Sequence, residues 1–466
     1  MFKKVLFVIF LLISTLFTFG YFKYYPRENT DVKIPVSADV IIRVNLREIA
    51  YNMLKDVVKH PLTYLKSSKK NKQTKVGSLF EQLKIPSDVF FYSNKDILKN
   101  TWVSTVIEIK NKADLLSFFN QDKFVKKSLE NAVYFISKKT VYFINKNQLR
   151  IVFNIDEITK VETKLKTLLN TKEYLKDENS IVQKLKNSKE LIALSTKSND
   201  FLELGIDENE ISILGELSEK NTPFLSSENN RNNGLLATVS GKLKKSFLSD
   251  YLDKSSKDRF EKFTNLSIDS LQRHWNGEFN ANLNAFIQRK DSIVTYQYDD
   301  DFNKIAKTMI KKTIVPDVNV SFGGTTIFNY LSSKKALKNI NGKKILLVNP
   351  LFKTYAYQQE KSLFLSSKDE SNTILSKQKN KKFNEHTKFL LFIEVEKYLK
   401  TQDTSLENFT KYLAEIKTIK AVVATNNKVS VKVCFKTSAL KSLYQAIKWY
   451  PVCKISLKKG LRLVEI

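Results

Sequence analysis

The sequence predicts an α+β protein, in which an N-terminal transmembrane or signal helix precedes two divergent repeats of antiparallel sheet with helices packed on one face. Three observations support this class. The chain begins with a long uncharged segment, a strand-then-helix pattern recurs along it, and a meander of short strands occurs twice. Because 42% of the residues are hydrophobic and 12% aromatic, the chain can form cores and is not disordered overall.

The first element is the uncharged segment Val5–Phe22, which has lysines on both sides. Eighteen residues are close to the lower limit for a helix that spans a ~30 Å hydrocarbon core. The aromatic cluster at Tyr21–Tyr25 is typical of a membrane interface. We therefore predict an uncleaved anchor. Two alternatives stay open: a signal peptide cleaved after the weak site Thr18–Gly20, or a buried soluble helix.

An anchor of this kind places the bulk of the chain in the periplasm, attached to the inner membrane. Cleavage sites for lipid attachment need a cysteine directly after the apolar segment, and residues 23–33 contain none. A polar stretch around Pro223 separates the two repeats. The predicted domains are residues 1–25 as signal anchor or signal peptide, 26–33 as linker, 34–220 as the first α+β domain, 221–233 as linker and 234–466 as the second α+β domain.

The strand-then-helix pattern consists of an apolar strand, a polar step and an amphipathic helix. In its first occurrence, Leu46, Ile49 and Met53 recur at i, i+3 and i+7, which predicts a helix that packs its apolar face on the sheet. The pattern occurs at Ala38–Leu54, Thr101–Phe119, Gly234–Leu252, Asp291–Ile310 and Lys388–Leu399.

The meander is the second recurring element. Short apolar runs separated by polar breaks occupy Ala132–Asn154, and a helical pattern follows at Ile158–Leu169. The same arrangement returns at Lys344–Ser367, followed by Asn372–Lys377. A matching order of elements in both halves indicates a divergent duplication.

These motifs carry a resemblance. The opening IPVSADVIIRVNLREI at Ile34–Ile49, and meanders that end in LRIVFN and SLFLSS, resemble exported tandem α+β proteins of Bacteroidetes-like bacteria, of the domain-of-unknown-function type. The resemblance implies the fold layout and an envelope location. It implies no activity and no site residues.

The net charge of +30 is carried mainly by lysine, because only nine of the 78 basic residues are arginine. Nucleic-acid sites favour the bidentate fork of arginine, so we do not expect a nucleic-acid partner. The densest basic run, Lys66–Lys75, reads as an exposed loop, or as a contact for anionic lipid headgroups.

The two cysteines, Cys434 and Cys453, lie in or beside strand-like runs. An exported location permits a disulfide between them, and a helix between the two strands would let the strands lie side by side. Two buried free thiols are the alternative.

No catalytic, cofactor or metal site is predicted. The three histidines, His60, His274 and His386, lie far apart and lack the spacing of a metal site. Asp299–Asp301 lacks the register of a calcium loop and is interpreted as the N-terminal cap of a following helix. Asp207–Glu210 is interpreted as a hairpin turn, and Gly323–Gly324 as a turn or bulge.

The function predicted from these features is a non-enzymatic, membrane-anchored scaffold or binding protein of the cell envelope. Its partners would be the membrane, through the N-terminal helix, and an envelope protein or polymer. Trp102, Trp275 and Trp449 are expected to anchor cores rather than stack on sugars. The alternatives are an envelope enzyme with a spatially assembled site, and a lysine-driven binder of anionic lipid or polysaccharide.

Overall fold

The structure is a computed structural model that describes residues 33–59, 79, 81–93, 102–120, 124–129, 132–153, 173–230, 235–247, 252–298, 302–349, 352–359, 361–369, 384–401 and 413–439. The described helices are α1 (Leu46–Lys59), α2 (Lys112–Phe119), α3 (Ser180–Asn187), α4 (Lys254–Thr264), α5 (Ile268–His274), α6 (Ile327–Ser333) and α7 (Val395–Thr401). The strands before residue 209 are β1 (Val40–Asn45), β2 (Leu83–Lys84), β3 (Asp88–Ser93), β4 (Val103–Ile109), β5 (Val125–Leu129), β6 (Ala132–Ser137), β7 (Thr140–Asn145), β8 (Gln148–Phe153), β9 (Ile192–Thr196) and β10 (Phe201–Ile206). The later strands are β11 (Glu210–Glu216), β12 (Phe224–Leu225), β13 (Ser227–Asn230), β14 (Ala237–Leu243), β15 (Glu278–Tyr298), β16 (Lys304–Gly323), β17 (Leu337–Ile340), β18 (Lys343–Leu346), β19 (Thr354–Gln359), β20 (Ser362–Ser366), β21 (Asn384–Ile393), β22 (Ile416–Ala424) and β23 (Lys428–Phe435).

The predicted α+β class is wrong, because the described part of the chain is mostly antiparallel sheet, with 50% strand against 22% helix. The segment Asp291–Ile310 shows why. Its sequence predicts a strand followed by a helix after Asp299–Asp301, but residues 291–298 belong to β15 and residues 304–310 belong to β16. The spacing of Ile305 and Met309 is compatible with a helix, whereas the β-branched residues that follow them favour a strand.

Several predicted segments lie outside the described residues. They are Val5–Phe22, His60, Lys66–Lys75, Ile158–Leu169, Asp299–Asp301, Asn372–Lys377, Trp449 and Cys453. Within the described ranges, no helix combines the length and the apolar character that a membrane crossing requires.

The chain divides into two compact units, Met1–Glu208 and Asn209–Ile466. In unit 1 the described strands pair in the order β10, β9, β1, β3, β4, β8, β7, β6 and β5, and β2 adds to β4. Every pairing is antiparallel. The meander of β6, β7 and β8 therefore joins the sheet through β4.

The core of unit 1 lies under the meander. Helix α2 begins at Asn111, whose side chain accepts hydrogen bonds from the backbone N–H groups of Ala113 and Asp114. The helix buries Phe119, whose ring stacks on Phe135 at 4.8 Å between centroids and touches Tyr142 at 5.0 Å. This aromatic packing fixes α2 on the sheet.

A buried arginine also holds unit 1 together. Arg43 on β1 is 5% exposed and donates from Nε to Asp88 Oδ1 at 2.7 Å. Its Nη2 lies 2.7 Å from the same oxygen, and its Nη1 donates to the carbonyl oxygens of Leu185 and Ser188 at 3.1 and 2.5 Å. Because these carbonyls end helix α3, the cation stabilises the negative end of the helix dipole against the sheet.

Unit 2 repeats the strand order of unit 1. Its described strands pair as β22, β21, β14, β15, β16, β20, β19, β18 and β17. Matched in chain order, β1 corresponds to β14, β3 and β4 to β15 and β16, and β5–β8 to β17–β20. Strands β23 and β11 extend the sheet beyond β22, while β12 and β13 add to β14 and β21.

The core of unit 2 lies where helices α5 and α6 pack on strands β16 and β20. Tyr330 and Leu331 of α6 are buried with Leu363 and Leu365 of β20. The side chain of Ser267 caps the start of α5 by accepting from the N–H of Ser270. This packing holds β16 in place at the end of the hairpin that β15 and β16 form.

Helix α1 buries its predicted apolar stripe only in part, because Leu46 and Ile49 are partly buried whereas Met53 is exposed. Met53 is 53% exposed, and the neighbouring Tyr51 and Val58 are 59% and 60% exposed. The acidic Asp56 of α1, in contrast, is buried. The prediction that this helix packs through Met53 is therefore wrong.

Candidate functional site

Cys434 lies on β23, opposite Glu210 of β11. Its thiol is partly exposed and lies 3.6 Å from Glu210 Oε2. The other carboxylate oxygen of Glu210, Oε1, lies 2.8 Å from Lys432 Nζ. Since Cys453 lies outside the described residues, the predicted disulfide stays a prediction.

The described histidines lie in different settings. The ring of His274 stacks on Tyr330 at 4.7 Å between centroids, and its Nδ1 lies 2.8 Å from Thr326 Oγ1. His386 lies on β21 and pairs with Glu228 of β13. Among the side chains that the structure describes, no group of three histidine, cysteine or acidic residues could bind a metal.

The remaining candidates of the sequence occupy structural positions. Asp207 and Glu208 lie between β10 and β11. Gly323 ends β16, and Gly324 follows with φ +145°. Trp102 packs against the core of unit 1 and meets Tyr92 edge to face at 6.2 Å, while Trp275 packs against the core of unit 2.

The most prominent feature of unit 2 is a long hairpin of β15 and β16 with a free outer part. Strand β14 pairs with β15 up to Leu283, and β20 pairs with β16 from Asn319 onwards. Beyond these points, Ala285–Tyr298 pairs with Lys304–Asp317, and no other described strand pairs with either segment. We call these two paired segments the arm. At about 3.3 Å per residue, the arm is roughly 45 Å long.

The arm is an addition to the common strand order of the two units. The hairpin of unit 1 at the same place in the order is formed by β3 and β4, which have six and seven residues. Strands β15 and β16 have 21 and 20 residues. Since unit 1 forms the same order without such an extension, the sheet does not depend on the arm.

Both faces of the arm expose large apolar side chains. Because side chains alternate along a strand, residues with even numbers on β15 and β16 share one face and those with odd numbers share the other. On the even face, Tyr296, Tyr298 and Ile310 are 57%, 68% and 70% exposed. On the odd face, Ile305 and Met309 are each 52% exposed. Exposed apolar surface of this extent marks an interaction site.

The base of the arm is held firmly. Leu283 pairs with Val318 and Ala285 with Asp317, so Asn284 forms a bulge where the arm leaves the sheet. The buried carboxylate of Asp317 forms an ion pair with Lys368 at 2.7 Å. Phe286 meets Tyr398 of helix α7 edge to face at 5.5 Å. These contacts direct the arm without covering its outer part.

The outer end of the arm also has an unusual backbone. Phe302 precedes β16 with φ +59° and is 85% exposed. A left-handed conformation at a bulky residue costs about 1–3 kcal/mol, and such conformations cluster at functional sites. Nearby, the ammonium of Lys304 lies 4.1 Å from the centroid of the Tyr296 ring.

The direction of the backbone groups on β16 follows from its contact with β20. The N–H of Val318 donates to Ser367 Oγ at 2.9 Å, and its carbonyl accepts from the N–H of Ser367 at 3.0 Å. Backbone groups alternate in direction along an antiparallel strand. The even-numbered residues from Lys304 to Ile314 therefore direct their N–H and C=O groups to the side of β16 on which β20 lies, in the part of β16 that extends beyond the end of β20. Pro316, at the start of this edge, lacks an N–H.

The sequence pattern did not identify the arm. A signal was present, because Glu278–Tyr298 and Lys304–Val315 contain neither glycine nor proline and are rich in β-branched and aromatic residues. Two such segments around a short acidic turn indicate a long hairpin. The arrangement offers apolar side chains and backbone hydrogen-bonding groups to a partner, which suits binding rather than bond-breaking chemistry.

Comparisons with known proteins place no family on the chain. No family model matches it, and no curated protein matches it. Among solved structures, crystal form I of TP0453 covers 72% of this chain and 93% of its own, with 8% identity and a TM-score of 0.22. Crystal form III covers 73% and 94%, with 10% identity and a TM-score of 0.23. These TM-scores are too low to indicate a shared fold.

Proposed function

We propose that this chain is a non-enzymatic binding protein of the cell envelope that holds a polypeptide partner through the arm. The observation that carries the proposal is the exposed apolar surface of a ribbon that the sheet does not need. Ile310, Tyr296 and Met309 are each more than half exposed. Burial of such a side chain contributes about 1.5–3 kcal/mol, so a partner that covers several of them would bind favourably.

The stability of the arm supports the same proposal. A two-stranded ribbon is marginally stable in water unless another surface packs on it. The described contacts of the arm with the rest of unit 2 are concentrated at its base, at Phe286 and Asp317. A partner that packs on the outer part would therefore stabilise the arm as well as gain apolar contacts.

A polypeptide suits the arm better than a bilayer. Both edges of the ribbon carry backbone N–H and C=O groups to which no described strand pairs. Hydrocarbon offers no hydrogen bonds to such groups, and open sheet edges are excluded from it. Another polypeptide strand supplies them.

The proposed location is the periplasmic side of the inner membrane. It is supported by the uncharged segment Val5–Phe22 between lysines, which would act as the anchor. The predominance of lysine over arginine gives no support to a nucleic-acid partner.

The experiment that tests the proposal is photo-crosslinking in cells from single positions of the full chain. A photoreactive residue at Ile310 should give an adduct of defined mass with another polypeptide. The matched control is Phe263 on helix α4, which is 73% exposed but lies outside the arm. Serine substitutions at Ile305 and Met309 should abolish the Ile310 adduct. Equal adducts at Ile310 and Phe263, or no adduct at Ile310, would contradict the proposal.

A further inference from the structure

We infer that the partner strand adds to the outer edge of β16, with which no described strand pairs, and that it is an acidic, extended polypeptide segment. The inference rests on the proposed function and specifies how the arm binds. Three features of the described residues support it: the direction of the backbone groups on β16, the charge of this strand, and the position of its apolar side chains.

The backbone of β16 is ready to accept another strand. The even-numbered residues from Lys304 to Ile314 direct their N–H and C=O groups to the side on which β20 pairs further along. A strand that added there would continue the line of β20 along the arm. Its backbone hydrogen bonds would supply affinity, and its alternating side chains would supply specificity.

The charge of β16 selects the partner. From Lys304 to Pro316 the strand contains four lysines and no carboxylate. Lysines on an edge strand oppose pairing with other strands of the same charge, which protects the arm from pairing with a second copy of this edge. The same lysines attract a strand that carries aspartate or glutamate. Pairing of β16 with an acidic segment is therefore favoured over pairing with a basic segment.

The apolar side chains complete the surface. Ile310 and Ile314, on the even face, are 70% and 47% exposed, while Ile305 and Met309 are exposed on the odd face. Side chains directly opposite each other on paired strands contribute roughly 0.2–1 kcal/mol for each pair. A partner strand with apolar residues between its carboxylates would cover both faces.

A matched pair of proline variants tests which edge is used. Thr308 of β16 and Val294 of β15 pair with each other, and both direct their backbone groups away from the hairpin. T308P removes an outward N–H from the β16 edge, whereas V294P removes one from the β15 edge. Both leave the hydrogen bonds between the two strands intact, so the variants are expected to fold alike.

The probe is a synthetic peptide of alternating glutamate and valine, with a lysine–valine peptide as its charge control. Binding to the full chain is measured by fluorescence anisotropy. We expect the acidic peptide to bind, T308P to weaken it by about tenfold or more, and V294P to leave it unchanged. Charge reversal at Lys307 and Lys312 should weaken binding by a similar factor. Equal binding of both peptides, or equal loss in both proline variants, would overturn the inference.

Anionic vesicles of phosphatidylglycerol are the second probe in this experiment. Binding to these vesicles through the arm, without binding of the acidic peptide, would overturn the inference in favour of a lipid surface. If neither probe binds while Ile310 still crosslinks to a polypeptide in cells, the β16 edge assignment fails and the proposed function stands. If the crosslink is also absent, both fail.

Discussion

At the residue scale, Lys388 shows how unit 2 accommodates a buried cation. Its side chain is 5% exposed, and its Nζ donates to Glu219 Oε2 at 3.0 Å and to Asn427 Oδ1 at 2.7 Å. Asn427 donates in turn to Glu219 Oε2 at 2.7 Å and adopts φ +63°, which asparagine tolerates well. A buried ammonium without these acceptors would be strongly unfavourable.

This network predicts an acid-sensitive contribution to stability. The hydrogen bond from Asn427, followed by that from Lys388, lowers the pKa of Glu219 below its usual value. A carboxylate whose pKa is lowered by folding stabilises the protein above its unfolded-state pKa, and this stability is lost as the pH falls through the folded-state pKa. We therefore expect E219Q to flatten the decline in the free energy of unfolding below about pH 4.3.

Urea unfolding at a series of pH values measures this effect. E216Q, which changes an exposed carboxylate on β11, is the matched control and should leave the decline unchanged. A decline of the same steepness in E219Q and the parent chain would show that Glu219 does not supply the acid sensitivity.

At the element scale, glycines set the turns that join the elements of unit 2. Gly324 has φ +145°, and a Cβ atom added there would lie 2.2 Å from the carbonyl oxygen of His274. Gly342, in the turn between β17 and β18, has φ +78° but no atom within 4 Å of such a Cβ. Gly324 is needed because a side chain would clash with the backbone of His274 and because its φ is positive. Gly342 is needed only because its φ is positive.

The two glycines therefore predict different costs for the same substitution. We expect G324A to lower the free energy of unfolding by about 2–3 kcal/mol, because the backbone near His274 must shift. G342A should cost about 1 kcal/mol, since it meets strain without a clash. Chemical denaturation of both variants measures the difference, and a cost at Gly342 that equals or exceeds that at Gly324 would refute the steric explanation.

At the scale of the whole molecule, the residues that form the common sheet and the residues proposed to bind a partner lie in different segments, because the arm extends beyond the sheet. The two units share one strand order, and the arm is an extension in unit 2 with no counterpart of that length in the described hairpin of unit 1. Its exposed apolar residues lie beyond the last strands that flank it. Stability and binding should therefore be separable.

Removal of the arm tests this separation. Residues 288–314 would be replaced by Asn-Gly, a turn that suits a two-residue hairpin between Ile287 and Val315. We expect the free energy of unfolding to change by less than about 1 kcal/mol, because the lost residues are largely exposed. Chemical denaturation checks this, and cooperative unfolding at much lower denaturant would show that the arm supports the sheet. Photo-crosslinking from the remaining surface should yield no partner adduct.

The local pattern of the sequence identified some elements and misjudged others. The run at Ala132–Asn154, where apolar stretches alternate with polar breaks, forms strands β6, β7 and β8. The fold class was misjudged at Asp291–Ile310, where a helix was predicted after Asp299–Asp301, whereas β-branched residues and the pairing of β16 with β15 make residues 304–310 a strand. Helix α1 was expected to bury Met53, but burial depends on which surface faces the helix, which its own sequence does not specify.

The sequence by itself determined the predominance of lysine and the uncharged N-terminal segment. Its β-branched and aromatic residues favour strands at 278–298 and 304–315, but its pattern was interpreted as a helix after Asp299–Asp301. Only the tertiary structure decided that this hairpin extends beyond the neighbouring strands β14 and β20 and exposes its apolar side chains. The flanking strands β14 and β20 are separated from the hairpin along the chain, and their pairing with it ends at Leu283 of β15 and Asn319 of β16. Exposure is a property of pairing between distant segments, because alternation along one strand defines its faces but not what covers them.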